Sequence, residues 1–529
     1  MKELKELKFE ELTLKQKLGM VYTGFLNSWV KNEDNEQFIL DLIKERALGA
    51  VWIQQGSRDY IEMLEKVKEI ADYPIIIITD AESGMTTPEG NFLVGRHSAV
   101  ANAGDLKYAY AFGKVSATLA RKLGYNMICA PILDMRRGWI RSFGTDKERV
   151  ADVGCAVAQG YLDGGIFAMA KHYPGGNNPH EIDSHMTPSI TYLTEEEIIE
   201  NELYPYRKLM EKGLLSAIMP GHKRCMSIDP DRPTSMSKKV MNIIRDLGFD
   251  GIAMTDALCM MGVKALYSDV EAEGYAIAAG NDTILPFSGN SRKDFEDLTK
   301  AYEQGLFNDE DLDTAVKRIL NMHHRILSLE NNPVITDEEM ENFMNIDKKG
   351  VYQRLDEGLP SGISKDGNHY FAIMVRADAN MGADGKVDVD TYNSSWFYPK
   401  KIEAKIKELF PNSKVQFFTE FPSQHHNVTI LNDSIGCEET IFMTFTEPLS
   451  FTGKEYLTRR LLTLITAMQQ TNRVSTVIHF GNPTVLEELP HIPRIIVGGV
   501  SETGVETALD VLAGDYKAEG MLNCEVDFK

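Results

Sequence analysis

Basic residues are in short supply: 56 Lys and Arg stand against 78 Asp and Glu, for a net charge of −22. Nucleic acid and anionic membrane surfaces both need a basic face, so neither is expected as a partner. Cysteine is sparse and scattered. Cys129, Cys155, Cys225, Cys259, Cys437 and Cys524 contain no Cys-x-x-Cys pair. That argues against a zinc site and a disulfide framework and favours a reducing cytoplasm. No apolar run approaches the roughly 20 residues needed to cross a bilayer. Residues 1–8 lack the apolar stretch of a secretory signal, so a cytoplasmic protein is expected. Low-complexity tracts and short internal repeats are also missing, which sets aside solenoid architectures.

A chain of 529 residues, 43% hydrophobic and 25% charged, is long enough for two or more globular domains. Its first 330 or so residues alternate brief apolar runs with longer amphipathic ones. Candidate strands fall at 49–54, 74–79, 126–130, 166–172, 215–220, 251–255 and 282–285, rich in Ile, Val, Ala and Met. Such runs suit strands buried on both faces of a parallel sheet. Helical periodicity covers 59–72, 107–123, 194–212 and 237–247. Repeated βα units of this number predict an α/β fold with a (β/α)8 TIM-type barrel over residues 1–335. An incomplete barrel or an open doubly wound sheet carries the same pattern.

Residues 336–368 are polar and punctuated by Gly350, Pro360 and Gly362, and read as a linker with short helices. A second αβ pattern follows over 369–529. Strands are predicted at 369–376, 414–419, 439–445, 475–479 and 494–497, and helices at 399–409, 454–470 and 505–513. This predicts a smaller α/β sandwich domain with a mostly parallel sheet.

Polar residues recur where the first domain's strands end. Asp80 follows Ile75-Ile76-Ile77-Ile78-Thr79, and Asp134 follows the run from Ile128 to Leu133. Lys171 and His172 close the next strand, His222 follows Ala217-Ile218-Met219-Pro220-Gly221, and Asp256 follows Ile252-Ala253-Met254-Thr255. Singly, an Asp after a strand caps a helix and a lone His fills a structural role. Jointly they describe one rim of carboxylates, imidazoles and a lysine, fit to bind a polyhydroxylated molecule. Beyond Lys171-His172-Tyr173-Pro174-Gly175, a Gly- and Asn-rich loop leads to Asp183-Ser184-His185. A carboxylate one residue from an imidazole can orient the ring and support its charged form, which suggests proton transfer.

These residues resemble glycoside hydrolase family 3, in its β-N-acetylhexosaminidase branch. Thr79-Asp80-Ala81-Glu82-Ser83-Gly84 resembles the family's Asp-x-Glu-Gly-Gly segment, and Arg141-Ser142-Phe143-Gly144-Thr145-Asp146 its Arg-Ser-Phe-Gly-x-Asp. Lys171-His172-Tyr173-Pro174-Gly175 with Asp183-Ser184-His185 is similar to its Lys-His-Phe-Pro-Gly…Asp-Ser-His. The stretch from Gly248 to Leu258 resembles the segment bearing the nucleophile. More loosely, His479-Phe480-Gly481-Asn482-Pro483 resembles a turn of the family's C-terminal domain.

The resemblance implies a retaining glycosidase that removes terminal β-linked N-acetylglucosamine. Asp256 would be the nucleophile, His185 the acid and base, and Asp183 its orienting partner. Asp80, Arg141, Lys171, His172 and His222 would hold the sugar. A carbohydrate would be the only partner, with no metal or cofactor. The chain departs from the branch at Gly176-Asn177, where Gly176 replaces a histidine, and at Met85, which replaces an arginine. Within the same family a β-glucosidase, a β-xylosidase, a glycoside phosphorylase or a non-catalytic sugar binder remain as alternatives. An imidazole in place of a carboxylate repels phosphate less, which motivates the phosphorylase.

Overall fold

The structure is a computed structural model that describes residues 4–26, 32–57, 59–176, 183–355, 362–375, 399–446 and 456–528. Among these residues, seven strands of the first domain form one parallel sheet in the order of the chain. They are Thr23–Phe25, Ala50–Trp52, Ile76–Thr79, Met127–Ile128, Phe167–Tyr173, Ala217–Pro220 and Ile252–Ala253. Residues 283 and 284 close the ring. Thr283 N–H donates to Ala253 O at 3.2 Å on one side, and Ile284 N–H donates to Val21 O at 3.0 Å on the other. The sheet is therefore an eight-position barrel, and the open-sheet alternative falls.

Burial on both faces explains why the strands read as continuous apolar runs rather than alternating ones. Ile76, Ile77 and Ile78 are all buried, as are Met169, Ala170 and Lys171. Sulfur fills the barrel beneath its rim: Cys129 Sγ lies 3.9 Å from Met169 Sδ and 3.7 Å from Met219 Sδ. The first strand was not expected from the sequence. It is three residues, Thr-Gly-Phe, with one β-branched side chain and a glycine, too short and mixed to signal a strand.

The helices begin where the side chains allow. Asp105 and Asp146 cap Leu106–Leu123 and Lys147–Asp163 by accepting from the amides of Lys107 and Arg149. Such a cap contributes about 1 kcal/mol. The segment expected as one helix over 194–212 is instead broken. A π-helical turn at Ile198–Glu202 separates Glu195–Glu197 from Tyr204–Glu211. Pro205 lacks the N–H that would carry a regular ladder through this point.

The second domain has its own core, built on a six-stranded sheet. Its order is Tyr352–Arg354, Arg494–Val497, Thr476–Phe480, Glu439–Phe445, His369–Val375 and Lys414–Thr419. The stretch expected as a linker over 336–368 contributes the first of these, antiparallel to Arg494–Val497. It also holds the helices Asp337–Met344 and Ile346–Lys349. Asp347 spans the two domains: its Oδ1 accepts from Gly95 N–H at 2.8 Å, and it bonds the Ser501 side chain. Among the described residues no helix is long and apolar enough to cross a membrane.

Candidate active site

Five loops at the carboxyl ends of the barrel strands converge on one cluster of charge. Asp80 and Glu82 follow the third strand, and Asp134, Trp139 and Arg141 follow the fourth. Lys171 and His172 end the fifth. The sheet register shifts between Lys171 and Tyr173, and such irregularities re-aim side chains next to sites. Lys171 is buried, and its Nζ lies 2.7 Å from Asp80 Oδ1 and 2.8 Å from Glu82 Oε1. Arg141 grips Glu82 with a fork, Nε to Oε2 at 2.8 Å and Nη2 to Oε1 at 2.7 Å. The guanidinium lies 4.7 Å from the Trp139 ring centroid.

Two cations against two carboxylates settle the charges. Burial pushes Glu82 up, but Arg141 and Lys171 outweigh it and hold its carboxyl well below the ordinary range. Burial dominates at Asp80 and raises it despite Lys171, with the neighbouring Glu82 charge adding to the rise. Burial opposes the charged form of Lys171, yet Asp80 and Glu82 keep it firmly protonated. The fork uses Arg141 Nε–H and one Nη2–H, and the two carboxylates take two of the three Lys171 protons.

His172 is held by Asp134. One carboxylate oxygen accepts both its backbone N–H at 2.9 Å and its ring Nδ1–H at 2.8 Å. That bond pattern places a proton on Nδ1. Burial would raise Asp134, but the His172 ring and Lys223 bring it down to about 2.

The Asp183–His185 pair repeats this design on the following loop. Asp183 Oδ1 accepts from the His185 amide at 2.9 Å and pairs with ring Nδ1 at 2.7 Å. Residues 177–182 of the same loop, with the Asn177 departure, lie outside the described residues. The loop's far side is tied down: Met261 N–H donates to His185 O at 3.2 Å, and Gly262 N–H to Ser184 O at 3.3 Å. The dyad is thus pinned to the segment that follows Asp256.

Asp256 sits where the seventh strand leaves the barrel. Its N–H donates to Pro220 O at 3.0 Å, and its Oδ1 accepts from Ala257 N–H at 2.8 Å. Burial raises its carboxyl, but His172, His222, the Ala257 N–H and Lys171 outweigh it and hold the group below the ordinary carboxylate range. An ionised carboxylate in a cationic surround is suited to nucleophilic attack.

His222 has protein partners that the sequence did not show. Sequence reasoning places it among the sugar-binding groups, but the protein uses both of its ring nitrogens. Nε2–H donates to Ala257 O at 3.0 Å, and Nδ1 accepts from Ser235 Oγ at 2.8 Å. Burial lowers its pKa, against the raising effects of the Asp256 charge and the Ala257 carbonyl. Through Nε2 it props the Asp256–Ala257 turn. The reason is proximity: Gly221 and Ser235 pair through their backbones, which brings the Ser235 hydroxyl under the ring.

Sequence reasoning placed Asp134 on the rim without its His172 partner, and gave no role to Glu82, Trp139 or Arg96. Arg96 adds positive charge near Glu82. Glu82 lay in a quoted motif, and Trp139 stands two residues from Arg141, so both had a visible signal. Arg96 had none. Met85, the other departure, is fully buried in the hairpin of Gly84–Thr87 and Gly90–Leu93. Among the described residues no group of His, Cys, Asp and Glu is arranged to hold a metal ion.

Comparison with known proteins identifies the family. A "Beta-N-acetylglucosaminidase/beta-glucosidase" of Cellulomonas fimi is 28% identical over 282 residues, half of this chain and half of that protein. A "Beta-hexosaminidase" of Tolumonas auensis is 30% identical over 238 residues, 42% of this chain and 69% of that one. The chain thus spans about half the length of the first of these relatives. In fold it is similar to a solved glycoside hydrolase family 3 beta-N-acetylglucosaminidase from Paenibacillus sp., with TM-score 0.80 and 23% identity. That likeness covers 98% of this chain and 100% of the other. The profile of the glycosyl hydrolase family 3 N-terminal domain matches residues 8–322, a span that takes in the whole barrel and every strand end bearing the site. The chain belongs to glycosyl hydrolase family 3.

Proposed function

We propose that this chain is a retaining glycosidase that releases terminal β-linked N-acetylglucosamine from chitin oligosaccharides or peptidoglycan fragments. The observation that carries the reading is the Asp183–His185 pair at 2.7 Å, on a loop bonded through His185 O to the segment after Asp256. Asp256 attacks the anomeric carbon as the bond to the leaving oxygen breaks, giving a covalent glycosyl–enzyme. His185 Nε2–H gives its proton to that oxygen, and Asp183 stabilises the imidazolium charge beforehand. The same nitrogen then takes a proton from water, whose oxygen displaces Asp256 from the anomeric carbon. Two inversions retain the configuration.

The remaining groups orient the sugar. Asp80 accepts from hydroxyls, and Lys171, Arg141 and His172 Nε2 face sugar oxygens. Fixing the anomeric carbon against Asp256 is a large part of the rate. The N-acetyl preference rests on the relatives' names. The test is initial rate on aryl β-glycosides of N-acetylglucosamine, glucose and xylose, each with and without phosphate. Fastest turnover of the N-acetylglucosaminide, unaffected by phosphate, is expected. A faster glucoside or xyloside overturns the sugar, and acceleration by phosphate with release of a sugar phosphate overturns hydrolysis.

A further inference from the structure

The loop that carries Arg141 and Trp139 is held from the second domain. The segment 521–525, which follows the last helix Glu502–Ala513, runs back across the barrel rim. Asn523 is buried, and its Nδ2–H donates to Ser142 O at 3.1 Å, one residue from Arg141. Cys524 takes a hydrogen bond from the Gly138 backbone, one residue from Trp139. Arg137 Nε–H donates to Glu525 O at 3.2 Å, and the same guanidinium ion-pairs with Glu487.

The fit leaves no slack. A Cβ on Gly144, whose φ is +147°, would stand 2.5 Å from Asn523 O. A Cβ on Gly138 would stand 2.2 Å from Asn482 Oδ1, in the turn after Thr476–Phe480. Within the loop, Ser142 Oγ–H donates to Asp134 O at 2.6 Å. A shift of the strap at Ser142 therefore reaches Arg141, its neighbour in the chain.

We infer that residues 523–525 of the second domain are a positioning strap, which sets sugar affinity by holding the 136–144 loop so that Arg141 stays locked on Glu82. This rests on the proposed role of Arg141 in sugar binding. The strap residues contact the 136–144 loop through Ser142, Gly138 and Arg137. They act through Ser142 and Gly138 on Arg141 and on the Trp139 ring beside it.

The experiment compares full-length wild type with Asn523→Ala and Arg137→Ala, the latter on an exposed side chain that leaves the buried contact whole. The substrate is whichever aryl β-glycoside wild type hydrolyses fastest. Asn523→Ala is expected to raise KM about fivefold, the loss of one buried hydrogen bond felt at the ligand, with kcat within twofold. Arg137→Ala is expected to give a smaller rise of the same kind. In an Arg141→Ala background, Asn523→Ala should add nothing further to KM. Hydrogen exchange read by mass spectrometry should quicken across 136–144 and stay unchanged in the barrel strands.

Unchanged exchange in that loop overturns the inference. So does faster exchange with unchanged KM, which makes the strap merely structural. A full KM rise that persists without Arg141 overturns it too. If wild type hydrolyses no glycoside, the proposed function falls, and the strap is read from exchange together with N-acetylglucosamine binding by calorimetry: faster exchange confined to 136–144 with weaker binding keeps it, and unchanged exchange or unchanged binding removes it.

Discussion

Glu82 and Arg141 form a two-pronged ion pair, Nε to Oε2 at 2.8 Å and Nη2 to Oε1 at 2.7 Å, with both side chains largely withdrawn from solvent. Lys171 shares the same carboxylate. Glu82→Gln would keep the shape and remove the charge that two cations depend on. Breaking one side of such a pair costs about 3–5 kcal/mol. We expect a lower melting temperature and at least about a tenfold rise in KM for an aryl glycoside, because Arg141 loses its fixed partner. A variant with wild-type KM would show that Arg141 is positioned by something else.

Asp256→Ala should abolish turnover with the fold intact by circular dichroism. Added azide can take the vacant place of the carboxylate, attacking the anomeric carbon and releasing a glycosyl azide of inverted configuration from an activated aryl glycoside. Near wild-type turnover would move the nucleophile elsewhere.

His185→Ala should separate substrates by leaving group. Glycosides with poor leaving groups need the proton and should lose about 10²–10⁴-fold in kcat/KM, while a dinitrophenyl glycoside should lose far less in its first step. Equal losses on both would remove His185 as the acid. Asp183→Asn should follow the same trend more weakly, since it keeps the ring in place but withdraws the charge that supports the imidazolium.

Asp294 predicts a pH effect on stability. It lies on the helix Ser291–Glu303 and accepts from Ser288 Oγ at 2.5 Å. Burial first, with the nearby Asp269 charge adding, pushes its carboxyl up to about 6 from an ordinary 3.8. A raised folded-state pKa favours folding fully below the unfolded value, and that contribution is lost as pH rises through the folded value. Stability should therefore decline from about pH 4 to pH 6 on this account. Asp294→Asn, which keeps a hydrogen bond to Ser288 without the charge, should raise the melting temperature at pH 7.5 and leave it little changed at pH 4. An equal shift at both pH values would mean the charge is not the cause.

Much of the barrel was legible in the chain because burial on both faces demands continuous apolar runs, and seven of those runs are strand positions of the ring. Thr23–Phe25 was not, because three residues with a central glycine carry no such run. Tyr352–Arg354 was read as linker for a related reason: it is a half-buried edge strand whose identity comes from its neighbour Arg494–Val497. The nucleophile and dyad assignments came from residue types in motif order, which local sequence preserves.

By itself the sequence determined which residues carry charge and imidazole at strand ends, and that an Asp and a His stand one residue apart on the dyad loop. It left their partners undecided. Lys171 meets Asp80 across 91 residues, and Asn523 meets Ser142 across 381. Only the closed barrel and the second domain folded against it brought those groups within hydrogen-bond distance. The same folding spent both nitrogens of His222 on Ser235 and Ala257. A side chain's chemistry is local, but its hydrogen-bond partner, burial and charge state depend on what the tertiary structure sets beside it.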